Sequence, residues 1–269
     1  MQLRGKTVIV TGGASGIGKA LATRFRQEDL RGLAIADIDR SRTAAVAHGL
    51  GALGMHCDVS REEDIRRVIE QTRSAFGEID LFCSNAGIIR VDPDRENAAS
   101  APDEDFERCW RIHVMAHVYA ARALLPEMLA RGTGYFLNTV SAAGLLNQIG
   151  SATYSTTKHA SLGFAESLAI THYDRGIRVS VLCPQAVRTE MYGTGGPEAE
   201  AAAADGVLDP AQVADAALTG IHDERFLILP HPQVSEYMRR KVNDYDRWIA
   251  GKARFRRKIM SNTGANRML

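Results

Sequence analysis

Two side chains capable of proton chemistry, Tyr154 and Lys158, stand four residues apart in this 269-residue sequence. In a helix this spacing places both on one face. A tyrosine with a reference pKa of about 10 is a poor acid or base at neutral pH unless a nearby cation favours phenolate. We therefore expect Lys158 to lower the pKa of Tyr154. Ser141 ends an apolar run upstream and is predicted to hydrogen-bond and orient a substrate oxygen against Tyr154.

A glycine-rich turn follows the first apolar run, Thr7–Thr11, and leads into a helix-like segment, Lys19–Gln27. A strand, a glycine turn and a helix N-terminus together present free N–H groups and a positive dipole end to a pyrophosphate. Ala20 stands where a nucleotide-hydrolysing P-loop needs a Ser or Thr hydroxyl for magnesium, so that class is disfavoured. The turn predicts dinucleotide binding, with contacts from Gly12, Ser15, Gly16, Ile17 and Gly18.

Asp37 closes the second apolar run, about twenty residues beyond the glycine turn, as in dinucleotide-binding folds. A carboxylate at this point accepts hydrogen bonds from both ribose hydroxyls and repels a 2′-phosphate. Ser15 and Ile38 are uncharged, so no cation is expected to receive that phosphate. The sequence thus predicts NAD rather than NADP.

Seven short runs rich in β-branched and apolar residues alternate with helical or polar stretches along the chain. Strands separated by helices predict right-handed crossovers and a seven-stranded parallel sheet with helices on both faces, the doubly wound α/β class. Ligands of such sheets bind beyond the carboxyl ends of the strands. The predicted strands are Thr7–Thr11, Leu33–Ala36, Ala52–Cys57, Ile79–Cys83, Gly134–Thr139, Arg178–Cys183 and Arg225–Leu229.

With the Thr-Gly-x-x-x-Gly-x-Gly and Tyr-x-x-x-Lys motifs in this order, the chain resembles the one-domain short-chain dehydrogenases/reductases, from about Leu3 to Leu229. The resemblance implies a Rossmann fold and a homodimer or homotetramer formed through the helices 105–131 and 151–175. It also implies that Tyr154 and Lys158 touch the cofactor as well as the substrate. The further cofactor contacts it implies are Asp58 and Val59 beside adenine, Asn85, Ala86 and Gly87 along the cleft, and Val187 and Thr189 at the nicotinamide amide.

Two positions depart from the family pattern. His113 stands where members usually carry an asparagine that helps to hold a water in the proton relay to the lysine. Its imidazole titrates near neutrality and can bond water, so it either replaces the relay or disturbs it by its bulk. Together with His117 it forms an i, i+4 pair, but a third metal ligand is missing and no metal is predicted. The second departure is Gln185, where the family usually has glycine; it either contacts a polar group of the substrate or only alters the loop.

The composition, 45% hydrophobic and 24% charged, is that of a folded globular chain, and no linker divides it. We expect one domain over residues 1–269, with a substrate lid at 190–209 and a basic helical extension at 233–260. The extension carries nine Lys/Arg residues between Arg239 and Lys258, and an apolar stripe is expected to dock it against the core. No nucleic-acid motif accompanies the charge, so neither nucleic acid nor a membrane is expected as a partner. The stripe consists of Met238, Val242, Tyr245 and Ile249.

The four cysteines, widely spaced and without a Cys-x-x-Cys pair, are predicted to be reduced core thiols of a cytoplasmic protein. Residues around the predicted catalytic trio, Ser141, Tyr154 and Lys158, are mostly apolar, which favours a lipophilic or aromatic secondary alcohol or ketone as substrate. The expected activity is NAD-dependent hydride transfer between that alcohol and its ketone. The alternative is a catalytically impaired dinucleotide-binding sensor or scaffold, with catalysis lost through His113. The apolar set is Ala142, Ala143, Leu145, Leu146, Ile149, Met191 and Tyr192.

Overall fold

A computed structural model of the chain describes residues 1–193 and 197–265. Within them, seven parallel strands form one sheet in the order β3-β2-β1-β4-β5-β6-β7. Each predicted run overlaps one strand, so the predicted fold class is confirmed, although β3, β4 and β7 are shorter than expected and β2 is longer. The strands are β1 Thr7–Thr11, β2 Gly32–Asp37, β3 Leu53–His56, β4 Leu81–Ser84, β5 Gly134–Thr139, β6 Ile177–Leu182 and β7 Leu227–Ile228.

Helices connect the strands and extend the chain beyond the last one. Two of them, α4 and α5, are joined into one continuous helix by a π-helical turn at Arg111–Met115. The helices are α1 Gly16–Arg26, α2 Arg40–Leu50, α3 Glu62–Phe76, α4 Asp103–Trp110, α5 Ala116–Arg131, α6 Ala143–Leu146, α7 Ala152–His172, α8 Pro197–Ala202, α9 Pro210–His222, α10 Gln233–Asn243 and α11 Tyr245–Ala265.

Two hydrophobic cores lie on opposite faces of the sheet, because successive strand side chains point to opposite sides. In β1, Val8 and Val10 belong to the core formed with α1 and α9. Ile9 belongs to the other core, formed with α3, α5 and α7. Burial on both faces explains why the strands read as nearly continuous apolar runs.

The predicted docking stripe of the C-terminal extension is wrong. Val242, Tyr245 and Ile249 are 78%, 55% and 56% exposed. The predicted single helix is in fact two, α10 and α11, because Asp244 adopts an extended backbone and its carboxylate accepts the N–H of Arg247 at 2.9 Å as a helix cap. This break changes the helical phase, so residues before and after it do not share one face. The residues that face inward are Val234, Tyr237, Met238, Trp248 and Ile259.

The predicted lid, 190–209, contains a 3₁₀ turn at Glu190–Tyr192 and the helix α8, and positions 194–196 lie outside the described residues. Tyr237 of α10 donates a hydrogen bond to Asp205 Oδ1 at 2.8 Å, and α11 packs against α8. The C-terminal helices therefore contact the segment expected to act as a lid.

All four cysteines are buried free thiols, as predicted. Across residues 1–193 and 197–265, the structure contains no helix long and apolar enough to span a membrane.

Candidate active site

The glycine turn between β1 and α1 fits only residues without a side chain at two points. A Cβ on Gly12, whose φ is +64°, would lie 2.8 Å from Ala86 Cα, and a Cβ on Gly18 would lie 2.0 Å from the carbonyl oxygen of Gly12. The turn therefore packs directly against the loop after β4. Ser15 precedes α1 but its side chain caps no N–H group, so the first turn of α1 keeps its amides for an anion.

Asn85 joins three strand ends at the carboxyl edge of the sheet. Its amide nitrogen donates to the carbonyl of Thr11 at the end of β1, at 3.1 Å, and its amide oxygen accepts the hydroxyl of Thr139 at the end of β5, also at 3.1 Å. The hydroxyl of Thr11 in turn accepts the backbone N–H groups of Asn85 and Ala86 at 3.0 and 3.3 Å. This network fixes the relative positions of the strand ends that carry the site.

At the other end of the cleft, two backbone N–H groups hold the carboxylate of Asp37. Ala14 donates to Oδ2 and Asp39 to Oδ1, each at 3.1 Å. One cation, Arg42 on α2, lies near this carboxylate: the hydrogen bond that Arg42 donates to Glu190 raises its pKa most, and the charge of Asp37 raises it further. Arg42 Nη1 lies 2.7 Å from Glu190 Oε1, so this cation is already paired across the cleft mouth.

Asp58 and Val59 line the same end of the cleft. Ser60 fixes Asp58 Oδ1 by donating from its backbone N–H at 3.0 Å and from its hydroxyl at 2.7 Å.

Ser141 follows β5 in a strained conformation, with a φ of +113°. For a residue other than glycine, strain of this kind persists only when the surroundings hold it, and it is frequent at active sites. Its backbone N–H donates to Leu182 at 3.2 Å and its Oγ accepts the N–H of Ala143 at 3.1 Å. The hydroxyl lies 3.4 Å from the carbonyl of Pro184 and also contacts the phenol of Tyr154, so its proton points into the cleft beside the tyrosine.

Tyr154 and Lys158 lie on one face of α7, as the spacing predicted, with Lys158 Nζ 5.5 Å from the centre of the Tyr154 ring. Lys158 donates to the carbonyl of Thr139 at 2.9 Å. The expected direction of the tyrosine shift is wrong: burial raises the pKa of Tyr154, and a hydrogen bond with Ser141 only partly opposes this. Burial also lowers the pKa of Lys158 to about 8.

His113 lies in the π-helical turn between α4 and α5 and is fully buried. The backbone N–H of Ile88 donates to its Nε2 at 3.1 Å, and its Nδ1 lies 2.8 Å from the hydroxyl of Thr157. Because that hydroxyl donates onward to the carbonyl of Thr153 at 2.8 Å, the imidazole is neutral with its proton on Nδ1. Burial first, and then the charge of Lys158, lowers the pKa of His113 well below its ordinary value.

The ring of His113 packs edge-on against Tyr154, 5.5 Å between centroids, and does not line the cleft. Both ring nitrogens are engaged, so neither offers a lone pair to a metal. The partner considered for such a pair, His117, is buried, and burial lowers its pKa to about 3. No cluster of potential metal ligands occurs among the described parts of the chain.

At the nicotinamide end predicted from the resemblance, Val187 and Thr189 follow β6, and the hydroxyl of Thr189 donates to the carbonyl of Val187 at 3.2 Å. Gln185 also reaches the cleft, where its Oε1 is buried without a hydrogen-bond partner in the described structure. Its backbone N–H donates to Nδ1 of His231 at 3.2 Å.

One cleft of about 1400 Å³ brings the predicted residues together. Two of them do not line it: Gly18 packs beneath the turn, and His113 lies behind Ile88. The predicted residues that do line it are Gly12, Ser15, Gly16, Ile17, Asp37, Asp58, Val59, Asn85, Ala86, Gly87, Ser141, Tyr154, Lys158, Val187 and Thr189.

The sequence analysis missed two groups of residues. Thr11 and Thr139 hold Asn85 and Lys158, and both could have been found as the last residues of their strands. The face of α11 that lines the cleft was assigned to solvent, because the cap at Asp244 was not recognised. Its lining residues are Arg247, Trp248, Gly251, Lys252, Arg254 and Phe255.

A parallel sheet with a glycine turn after its first strand, and a Ser, Tyr and Lys cluster beyond its carboxyl edge, defines a dinucleotide-binding oxidoreductase. The family model for short chain dehydrogenase matches residues 6–199, which confirms the resemblance seen in the motifs. The chain belongs to this family and is an oxidoreductase.

Among curated relatives, the chain is 31% identical over 257 residues to 1-deoxy-11-beta-hydroxypentalenate dehydrogenase of Streptomyces exfoliatus, covering 93% of this chain and 92% of the relative. It is 34% identical to secoisolariciresinol dehydrogenase of Forsythia intermedia, covering 71% and 69%. Its structure is similar to that of a short chain dehydrogenase/reductase from Burkholderia phymatum in complex with NAD, with a TM-score of 0.81, 26% identity and coverage of 91% and 96%.

Proposed function

We propose that the protein is an NAD-dependent dehydrogenase that interconverts a lipophilic secondary alcohol and its ketone. The observation that carries this proposal is the position of Ser141, Tyr154 and Lys158 in one cleft with the glycine turn and the carboxylate of Asp37.

The cleft fits a dinucleotide. The uncapped first turn of α1 suits a pyrophosphate, and the fixed carboxylate of Asp37 suits the hydroxyls of an adenosine ribose and disfavours a 2′-phosphate. Lys158 uses one N–H on Thr139, which leaves two N–H groups for the nicotinamide ribose and a neighbouring oxygen. When bound, NAD supplies the hydride acceptor or donor.

The residues of this chain would then orient the substrate and transfer its hydroxyl proton. Ser141 donates its hydroxyl hydrogen to the substrate oxygen and fixes that oxygen beside Tyr154. In alcohol oxidation the Tyr154 oxygen takes the hydroxyl proton, and in ketone reduction it returns it. The positive charge of Lys158 stabilises the phenolate, which accepts the proton in oxidation and forms again in reduction.

An apolar substrate is supported by the walls around Ser141 and Tyr154. The apolar residues that line the cleft include Ala142, Ala143, Leu146, Ile149, Ile88, Ile89, Ile112, Trp248 and Phe255. The relatives named as dehydrogenases of a hydroxypentalenate and of secoisolariciresinol support a hydroxyl-bearing substrate. The sensor alternative loses support, because the ring of His113 lies outside the cleft and leaves the catalytic trio intact.

The test is reduction of NAD by a panel of cyclic and aromatic secondary alcohols at alkaline pH, followed by the absorbance of the reduced nicotinamide. Tyr154→Phe should reduce turnover by at least about a hundredfold, the usual contribution of a general acid or base, and leave NAD affinity nearly unchanged. Turnover retained in Tyr154→Phe would refute the mechanism. A wild-type protein that binds NAD but oxidises no alcohol would restore the sensor alternative.

A further inference from the structure

One wall of the cleft is a face of α11 with two parallel rows of side chains. The first row, Trp248, Lys252 and Phe255, places an ammonium between two aromatic rings, with Nζ 5.9 and 5.8 Å from their centres. The second row is Arg247, Gly251 and Arg254, and Arg254 Nη2 lies over the glycine, 3.9 Å from where its Cβ would be. These i, i+4 and i, i+3 spacings put both rows on the side that lines the cleft.

Among the residues that the structure describes, 1–193 and 197–265, no carboxylate forms an ion pair with Arg247, Lys252 or Arg254. Two carboxylates line this part of the cleft: Asp205 accepts the hydroxyl of Tyr237 at Oδ1 and has no partner at Oδ2, and Asp244 accepts the backbone N–H of Arg247. Their two negative charges do not balance the three cations of the wall together with Lys241 of α10. Because Lys252 is half-buried, its charge is not fully solvated either.

A second ammonium, Lys241 of α10, adds to the unbalanced charge. Burial lowers the pKa of Lys252, and the positive charge of Lys241 lowers it further, which shows that the two groups act on each other. Two partly buried like charges repel each other unless an anion binds close to both.

The positive charges of Lys241 and of the α11 wall lie at the substrate end of the cleft, near Ser141. Lys241 Nζ donates at 2.6 Å to the carbonyl of Leu145 on α6, the short helix that begins two residues after Ser141. At its far end, α11 is held by Arg256, which binds Glu96 at 2.9 Å. The helix is thus fixed over the substrate end, away from the turn predicted to bind pyrophosphate.

We propose that the substrate is an amphipathic anion: its apolar body lies against Trp248, Phe255 and the walls near Ser141, and its carboxylate is bound by Lys252 with Arg247 and Arg254. The proposal rests on the proposed function and names the class of substrate that the site takes. It also explains an apolar cleft whose outer wall is cationic.

The test is a binding assay that needs no turnover, so its failure and the failure of the proposed function are distinguishable. The probe is 8-anilinonaphthalene-1-sulfonate, added to the NAD complex, and its neutral counterpart is N-phenyl-1-naphthylamine, which lacks only the sulfonate. Energy transfer from Trp248 reports binding beside α11 and should fall in Trp248→Phe to the smaller signal that Trp110 supplies. Decanoate should displace the sulfonate probe at lower concentration than methyl decanoate.

Lys252→Gln should weaken binding of the sulfonate probe about tenfold, the loss expected for one charge-assisted hydrogen bond, and Lys252→Gln with Arg247→Gln should weaken it further. Both variants should bind the neutral probe and NAD as the wild type does, which also shows that they fold. The matched control is Arg257→Gln, an exposed arginine on α11 that does not line the cleft. The proposal would be overturned if the wild type did not bind the sulfonate probe, or if the double variant bound this probe as tightly as the wild type does. It would also be overturned if the double variant lost affinity for NAD and kept its affinity for the sulfonate probe.

Discussion

The phenol of Tyr154 is protonated at neutral pH in this structure, because burial raises its pKa. Oxidation of an alcohol needs the phenolate, whose population grows as pH rises towards that pKa. Reduction of a ketone needs the phenol, which is lost over the same range. We therefore expect kcat/KM for oxidation to rise from pH 7 to 10 and kcat/KM for reduction to fall at the alkaline end. Steady-state rates in both directions measure this, and parallel profiles would contradict the assignment of Tyr154.

We propose that His113 is a positioning residue, because its ring packs edge-on against Tyr154 but does not line the cleft. The sequence favoured no single role for it, and a relay role required the imidazole to stay neutral or to exchange protons, with a pKa of about 6.5 shifted by burial. With its pKa well below that value, we expect no His113 limb in the rate profile between pH 5 and 10. His113→Asn should change kcat through the position of Tyr154 and leave the shape of the profile unchanged. A limb near pH 6.5 that disappears in the variant would restore the relay role.

The same histidine makes folding stability depend on pH. Its pKa is depressed in the folded state, so the unfolded chain binds more protons below pH 6.5, and stability falls as pH falls through that value. The loss between pH 7.5 and 5.5 is about 1.4 kcal/mol for one buried neutral histidine with an unfolded pKa of about 6.5. The difference in the free energy of unfolding between these two pH values, measured with urea, should be smaller by about that amount in His113→Asn. An equal difference in both proteins would mean that the folded protein accepts the proton on His113.

At the scale of elements, the ion pair between Arg42 of α2 and Glu190 of the 3₁₀ turn bears on cofactor choice. In the wild type we expect much higher kcat/KM with NAD than with NADP. Asp37→Ala should raise the NADP/NAD ratio by roughly tenfold or more, since a like-charge contact is removed. Adding Glu190→Gln should raise it again, because Arg42 then keeps only its ion pair with Asp39 through Nε and can bind the 2′-phosphate through Nη1. Kinetics with both cofactors measure this, with Glu190→Gln alone as the control. An unchanged ratio in the double variant would exclude Arg42 from the site.

For the whole molecule, the predicted homo-oligomer would be formed through α4, α5 and α7. The outer face of α7 carries Ile170, which is 80% exposed. Ile170→Glu should convert the oligomer to monomers, because a charge cannot be buried unpaired in an interface. The matched control is Val242→Glu, at a residue 78% exposed on α10. Sedimentation velocity distinguishes them: dissociation in the control alone would place the interface on the C-terminal helices.

The order of strands and helices, the glycine turn and the Tyr154 and Lys158 pair were readable from the sequence, because each depends on contacts within a few residues. A buried strand needs a run of apolar residues, a pyrophosphate turn needs glycine where backbone approaches backbone, and a helix fixes which residues share a face. The resemblance to a known family then supplied Asn85, whose partners Thr11 and Thr139 lie on other strands, and Asp58, which Ser60 holds in the loop after β3.

Tertiary structure alone decided the charge states and the role of the C-terminal helices. The proton on His113 is fixed by Ile88 and Thr157, which are far from it in sequence, and burial by the whole fold reversed the expected shift of Tyr154. The face of α11 that meets the cleft depends on the helix break at Asp244 and on the walls it packs against. Sequence periodicity describes one helix at a time, whereas burial and electrostatic environment are set by the neighbours that folding brings together.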